Sequence, residues 1–214
     1  MFQYVLFDLD GTVTDSFEGI TKCVSHALEH FGITVEDRTE LKRFIGPPLL
    51  ESFMEYYGFS KEQAEEAVRI YRERYFKTGL YEGELISGVT QLLSDLKAAG
   101  KTVALATSKP EILATRILEH FNLTDYFNFI GGSELNGPRH TKGDVINYVL
   151  ESLGNPDKSQ TVIIGDRHHD IDGAKATGIK SIGFLGGFGD REELERAGAD
   201  YIVETFDEAE KILL

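Results

Sequence analysis

A chain of 214 residues with 41% hydrophobic content has material for one large domain, or for a core with a smaller partner domain, and it carries a formal net charge of −14. That acidity, with no basic run longer than two residues, argues against a nucleic-acid groove or an anionic membrane surface as partner; a small anionic substrate needs local help from a cation or a few placed lysines and arginines. Cys23 is the only cysteine, which excludes an intramolecular disulfide and a cysteine-based zinc cluster, and no stretch approaches the roughly 18 apolar residues of a membrane span, so a soluble, unprocessed, cytoplasmic monomer or homodimer is expected.

In chain order, FQYVLFD (2–8) reads as a buried strand that ends on Asp8 and runs into Asp10 and Gly11. A helix follows, with Ile20, Val24, Ala27, Leu28 and Phe31 at helical spacing and a stop at Gly32. Thr39 is expected to cap a short helix ended by GPP at 46–48, and Ser60 with Gln63 has the pattern of a capping box opening KEQAEEAVRIYRERYF. Helix GVTQLLSDLKAAG (88–100) then leads to strand TVALATS (102–108), helix PEILATRILEHF (110–121) and strand YFNFIGG (126–132). Helix TKGDVINYVLESLG (141–154), strands TVIIGD (161–166) and SIGFLG (181–186), helix REELERAG (191–198) and strand DYIV (200–203) complete the series. Strand and helix alternate, the mark of an α/β doubly wound, Rossmann-like parallel sheet. About ninety residues separate the first two strands, far more than a crossover helix requires. Residues 16–82 are therefore expected to form an inserted α-helical cap domain on a discontinuous core of 1–15 and 83–214, with hinges near 12–16 and 79–87.

Residues two apart on a strand share a face, at roughly 7 Å between Cα atoms, so Asp8 and Asp10 look into one space. Turn or capping duty accounts for Asp10 but not for Asp8. A second acidic cluster, IIGDRHHDIDGAK (163–175), sets Asp166 and Asp170 at a loop before a helix. Ligands of a doubly wound sheet bind where the strand order reverses, so the strand at 161–165 is expected beside the first and four carboxylates converge. Two like charges about 4 Å apart repel by about 4 kcal/mol at an effective dielectric of ~20. A divalent cation resolves the conflict, and oxygen-only ligands favour Mg2+, completed by waters and a substrate phosphate. Thr107 and Ser108, just before Pro110 and a helix start, offer hydroxyls and backbone N–H groups to an anion. Thr141 as cap with Asp144 at the third helical position puts Lys142 in a first turn, where a cation costs roughly 0.3–1 kcal/mol, a local loss that suggests a functional gain. Lys42 and Arg43 are candidate substrate contacts on the cap. Tyr71, Tyr75 and Tyr81 read as cap core or as its underside, and Arg139, Arg167, His168 and His169 lie in loops near the proposed site with their substrate contact left open.

Taken together, DLDGT (8–12), ATSKP (106–110), Lys142 in TKGDVI and GDRHHD (165–170), in this order along the whole chain, resemble the haloacid dehalogenase-like hydrolases. The likeness is to their phosphatase branch with a helical cap, and within it to the phosphoglycolate phosphatase-like and 5′-nucleotidase-like groups. Gly143 stands where the family usually has proline, which fits the nucleotidase-like group better than the sugar-phosphate mutases. The resemblance implies a Mg2+-dependent phosphatase acting on a small phosphorylated metabolite such as phosphoglycolate or a nucleoside monophosphate. In that scheme Asp8 is the nucleophile and a metal ligand, and Asp10 is the acid and base whose carbonyl also binds the metal. Thr107 and Lys142 hold the phosphoryl oxygens, Asp166 binds the metal, and Asp170 orients a metal-bound water or Lys142. Gly11, Ser108, Lys42 and Arg43 complete the expected substrate contacts. The alternatives weighed are a phosphomutase of the beta-phosphoglucomutase type, a dehalogenase and a non-catalytic Mg2+-binding regulatory module.

Overall fold

The structure, a computed structural model, describes residues 2–135 and 137–214. The chain opens with β1 (Tyr4–Phe7) and passes through β2 (Thr14–Asp15) into helices α1 (Phe17–His30), α2 (Leu49–Tyr57) and α3 (Lys61–Tyr75), then returns through β3 (Glu84–Leu85). After α4 (Val89–Ala98) come β4 (Thr102–Pro110), α5 (Glu111–His120), β5 (Phe129–Ser133), α6 (Lys142–Ser152), β6 (Thr161–Gly165) and α7 (His168–Thr177). β7 (Lys180–Phe184), α8 (Arg191–Ala197), β8 (Tyr201–Val203) and α9 (Phe206–Leu213) close the order. By contacts the chain forms two compact units, one running up to Thr14 and resuming at Leu85–Leu214, the other Asp15–Glu84.

The first unit is a six-stranded parallel sheet in the order β5-β4-β1-β6-β7-β8 with helices packed on it, an α/β Rossmann-like core. β1 lies in the middle, Tyr4 opposite Thr102 of β4 and Thr161 of β6. Val5, Leu6 and Phe7 are fully buried, as expected of a parallel strand covered on both faces. Leu6, Ala104, Ala106 and Ile163 present one sheet face to Val145, Ile146 and Val149 of α6 and to Ala174 of α7. The small alanines let α6 approach the sheet closely. The strand order reverses between β1 and β6, from which the chain runs outward through β4 and β5 on one side and β7 and β8 on the other, and the carboxyl ends of β4, β1 and β6 lie side by side.

The second unit is helical. Gly19, Ile20, Cys23, Val24, Ala27 and Leu28 make the buried stripe of α1, and a Cβ on Gly19 would run into the Gly79 carbonyl, so that glycine lets the 3-10 turn at Gly79–Tyr81 lie against the helix. α3 starts with the expected capping box between Ser60 and Gln63. Thr39 is not the cap of the short helix: the 3-10 helix Arg38–Phe44 is capped by Asp37, whose carboxylate accepts from the Thr39 N–H at 2.9 Å. Aspartate and threonine are both good caps, and the turn begins earlier than its hydrophobic pattern indicates. Tyr71 and Tyr75 are buried and stacked at 5.2 Å within this unit, so they are core, whereas Tyr81 is partly exposed. Two helices go unread in the sequence, α2 and α9. The strand expected at 126–132 starts later because Thr124–Tyr126 turns as a 3-10 helix.

Candidate active site

Asp8 follows β1 directly, and its N–H donates to the Ile164 carbonyl of β6 at 2.9 Å, so the sheet ladder itself carries this residue to the carboxyl edge. Asp166 follows β6 in the same way, Thr107 sits near the end of β4, Asp170 is in the first turn of α7 and Lys142 is the first residue of α6. All five are buried. The capping box of Thr141 and Asp144 fixes where α6 begins, and Gly173 makes room for the lysine stem, since a Cβ there would lie 2.7 Å from Lys142 Cγ. The Lys142 ammonium then reaches Asp8 Oδ1 and Asp170 Oδ1, each at 2.7 Å, and donates to the Ala106 carbonyl at 3.0 Å.

Asp166 is held from two sides. Its Oδ2 accepts from the Phe188 N–H at 2.7 Å and its Oδ1 is 3.4 Å from the Thr12 hydroxyl. Gly11, at φ 84°, turns the chain beside it, and a Cβ there would lie 2.5 Å from Asp166 Cγ. Asp170 Oδ2 accepts from the Arg167 N–H at 3.1 Å. Ligand-capable oxygens of Asp8, Asp166 and Asp170 all lie within 4.8 Å of one another.

Three buried carboxylates lie together here, and the Lys142 ammonium contacts two of them, Asp8 and Asp170. Burial, then the Asp170 and Asp8 charges, push the Asp166 carboxyl well above the usual carboxylate range. Asp170 is pushed up to about 6 by burial, with Lys142 opposing and Asp8 assisting. Burial pulls the Lys142 ammonium down, but Asp170 and Asp8 outweigh it and hold its pKa above the ordinary lysine value. The cluster is short of positive charge. Buried, all-oxygen donors with unbalanced negative charge fit a hard divalent ion and fit nothing soft, so the residues present suit the metal that the sequence implies. Asp10 keeps its carboxylate out of this trio: Oδ2 pairs with Lys109 at 2.9 Å, and Oδ1 is buried with no hydrogen-bond partner among the described residues.

The other expected contacts divide. Ser108 is half-buried beside Thr107. Lys42 and Arg43 are exposed in the helical unit, with the Arg43 guanidinium 4.4 Å from the Tyr56 ring centroid and 5.6 Å from that of Tyr57. Arg139 lies 3.7 Å over the Tyr148 ring and donates to the Gly132 carbonyl at 2.7 Å, which is a structural placement. Arg167 and His168 are gathered by Glu193, whose Oε1 lies 2.9 Å from Arg167 Nε and 2.8 Å from both the His168 N–H and its Nδ1. His169 is half-buried, and burial followed by the His168 and Arg167 charges lowers its pKa. Sequence reasoning missed Lys109, Thr12, Glu193 and the Phe188 N–H. Lys109 lies within ATSKP (106–110), and the glycine-rich run at 186–189 is the sequence signal for a loop folded tightly onto Asp166.

A parallel α/β core with an acidic cluster and a buried lysine at the carboxyl ends of its central strands defines a class, and comparison gives it a family. A profile described as haloacid dehalogenase-like hydrolase matches residues 5–184, and the chain belongs to that family. A protein named 5′-nucleotidase from Pseudomonas aeruginosa is 47% identical over 193 residues, 90% of this chain and 87% of that one. A crystal structure titled as a predicted phosphatase from Clostridium acetobutylicum superposes with a TM-score of 0.94 at 49% identity, covering 100% of this chain and 98% of that chain. The tyrosine-protein kinase PtkA of Mycobacterium tuberculosis is 38% identical over 213 residues, 99% of this chain and 72% of that protein. The chain is a phosphatase, a hydrolase of phosphoric monoester bonds. Among the described residues no helix is long and apolar enough to cross a membrane.

Proposed function

We propose that this phosphatase is Mg2+-dependent and cleaves a small phosphorylated metabolite in the cytoplasm through an aspartyl-phosphate on Asp8, with nucleoside monophosphates as the first candidates and phosphoglycolate next. The observation that carries the reading is the Lys142 ammonium between Asp8 and Asp170 at 2.7 Å, beside a third buried carboxylate, Asp166. The nucleotide preference rests on the relative named 5′-nucleotidase.

Asp8 attacks phosphorus, the bond from phosphorus to the leaving oxygen breaks, and water later releases phosphate from Asp8; one difficult displacement becomes two easier ones. Asp10 gives a proton to the leaving oxygen in the first step and takes one from water in the second. Lys142 and the Thr107 hydroxyl hold phosphoryl oxygens, and Lys142 also balances Asp8. Ser108 offers its hydroxyl to the same group, while Gly11, whose N–H donates to the Thr14 carbonyl at 2.7 Å, contributes the close turn beside it. Asp8, Asp166, Asp170 and the Asp10 carbonyl would hold Mg2+, which when bound supplies the positive charge that lets an anionic phosphate approach carboxylates. Residues 16–82 act as the cap that chooses the leaving group, with Lys42 and Arg43 as its cationic contacts.

The test is release of inorganic phosphate from p-nitrophenyl phosphate and from a panel of nucleoside monophosphates, phosphoglycolate, sugar phosphates, pyrophosphate and phosphotyrosine. Release that EDTA abolishes, Mg2+ restores and Asp8→Asn eliminates supports the proposal. Isomer formation from a sugar phosphate without free phosphate would replace it with a mutase, and turnover indifferent to EDTA would remove the metal.

A further inference from the structure

The geometry points to Lys109 as the positioning residue of the proton-transferring aspartate: it grips Asp10 by Oδ2, so that Oδ1 is the oxygen that carries the proton. This rests on the reading of Asp10 as acid and base. Lys109 Nζ lies 2.9 Å from Asp10 Oδ2, and the two side chains are 7% and 14% exposed, so the pair is largely shielded from water. A long lysine ordinarily keeps its ammonium in solvent. Here the backbone directs it inward. Between Thr107 and Pro110 the pairing of β4 with β5 slips: Thr107 faces Gly132 and Pro110 faces Ser133, so three steps on β4 match one on β5. Ser108 and Lys109 are the extra residues of this bulge. A bulge bends its strand and re-aims a side chain that regular alternation would place elsewhere.

The bulge is built in at two further points. The Lys109 N–H donates to the Thr107 hydroxyl at 3.2 Å, which ties the irregular segment to the residue that closes the strand proper. Gly132 provides the space, because a Cβ there would come within 2.6 Å of the Lys109 carbonyl and of Glu111 N. The consequence reaches Asp10. One of its oxygens is engaged by a cation, while Oδ1 is buried and lacks a hydrogen-bond partner among the described residues. A carboxyl group held at one oxygen cannot rotate to exchange the two, so the proton is presented from a single atom. As the bond between phosphorus and the leaving oxygen breaks, the proton moves from Asp10 Oδ1 to that oxygen, and the ammonium faces the carboxylate that remains.

The leaving group reads this out. A leaving oxygen that is stable as an anion needs little protonation, whereas an alkoxide needs it fully. Lys109→Met, Lys109→Gln and Lys109→Arg are compared with the wild type on p-nitrophenyl, phenyl and propyl phosphate, with kcat/KM taken from inorganic phosphate release in Mg2+. The expected result for Lys109→Met is a loss of about 10-fold or more on propyl phosphate, an intermediate loss on phenyl phosphate and less than about 3-fold on p-nitrophenyl phosphate. Lys109→Arg recovers part of the loss on propyl phosphate. In an Asp10→Asn background, Lys109→Met costs nothing further. Lys109→Gln, which keeps a donor, serves if the methionine variant does not fold. An equal loss on all three substrates, or a rise in KM alone, overturns the inference and makes Lys109 a phosphate or scaffold contact. A wild type that releases no phosphate from any of the three overturns the parent reading and this inference with it.

Discussion

At the scale of single residues, Lys142 links the stability of the fold to the proposed chemistry. It is buried and its ammonium contacts two carboxylates and a carbonyl. Removing one partner of a buried charged set costs about 3–5 kcal/mol because the remaining charges stay behind. Lys142→Ala is therefore expected to lower unfolding stability by that order in metal-free buffer and to reduce phosphate release at least about 100-fold, the loss typical of one oxyanion donor; denaturant melts and phosphate assays check both. Glu193 gives the pH counterpart. Burial raises its pKa, but the His168 N–H, the His168 ring and Arg167 outweigh burial and lower it from 4.5 to about 2. A depressed acid stabilises the fold above its unfolded value and loses that contribution as pH falls from about 4.5 towards 2. Glu193→Gln should thus be less stable than wild type at pH 7 by about 2 kcal/mol, with the gap narrowing below pH 4.5 in urea titrations; a gap independent of pH would count against it. Lys142 was legible in the sequence as a cation at the wrong end of a helix. Glu193 was not, since it acts across α8 to α7 and no local pattern signals such a pairing.

At the scale of elements, the bulge at the end of β4 carries Lys109, whose ammonium pairs with Asp10. The atoms that a Cβ at position 132 would meet at 2.6 Å belong to backbone, which cannot swing aside. Gly132→Ala is expected to cost about 1–3 kcal/mol, as overpacking does, and to lower phosphate release by displacing Lys109; calorimetry beside a rate assay separates the two effects. The sheet itself was readable, because buried parallel strands are continuous apolar runs and the helices between them carry clear stop signals. The bulge was hidden. Its extra residues become visible only against the partner strand, and VALATSKP by itself runs on smoothly. The same holds for the cap of the 38–44 turn, where Asp37 and Thr39 are equally good candidates until the hydrogen bond is seen.

At the scale of the whole molecule, the acidic cluster ties stability to its counter-ion. Asp8, Asp166 and Asp170 offer buried oxygens within 4.8 Å of one another, and the Lys142 ammonium contacts two of the three, so a bound cation would stabilise the native state. Mg2+ is expected to raise the thermal midpoint, by an amount equivalent to about 2.7 kcal/mol at a hundred times its Kd, and EDTA should reverse the gain. Protons relieve the same crowding, so Mg2+ binding should weaken as pH falls, and Asp166→Asn should abolish most of the shift. Differential scanning fluorimetry at several pH values reads this directly. The placement of β6 beside β1 was legible from the switch-point rule, and with it the meeting of Asp8 and Asp166. The central position of β1 has a further consequence, for the order of events in synthesis. β1, the strand between β4 and β6 in the sheet, is made before both of these neighbours, which follow only after the whole helical unit has been synthesised. Until β4 is made this apolar strand has both edges open, and pairing across so long a separation is slow and exposed to aggregation while it waits.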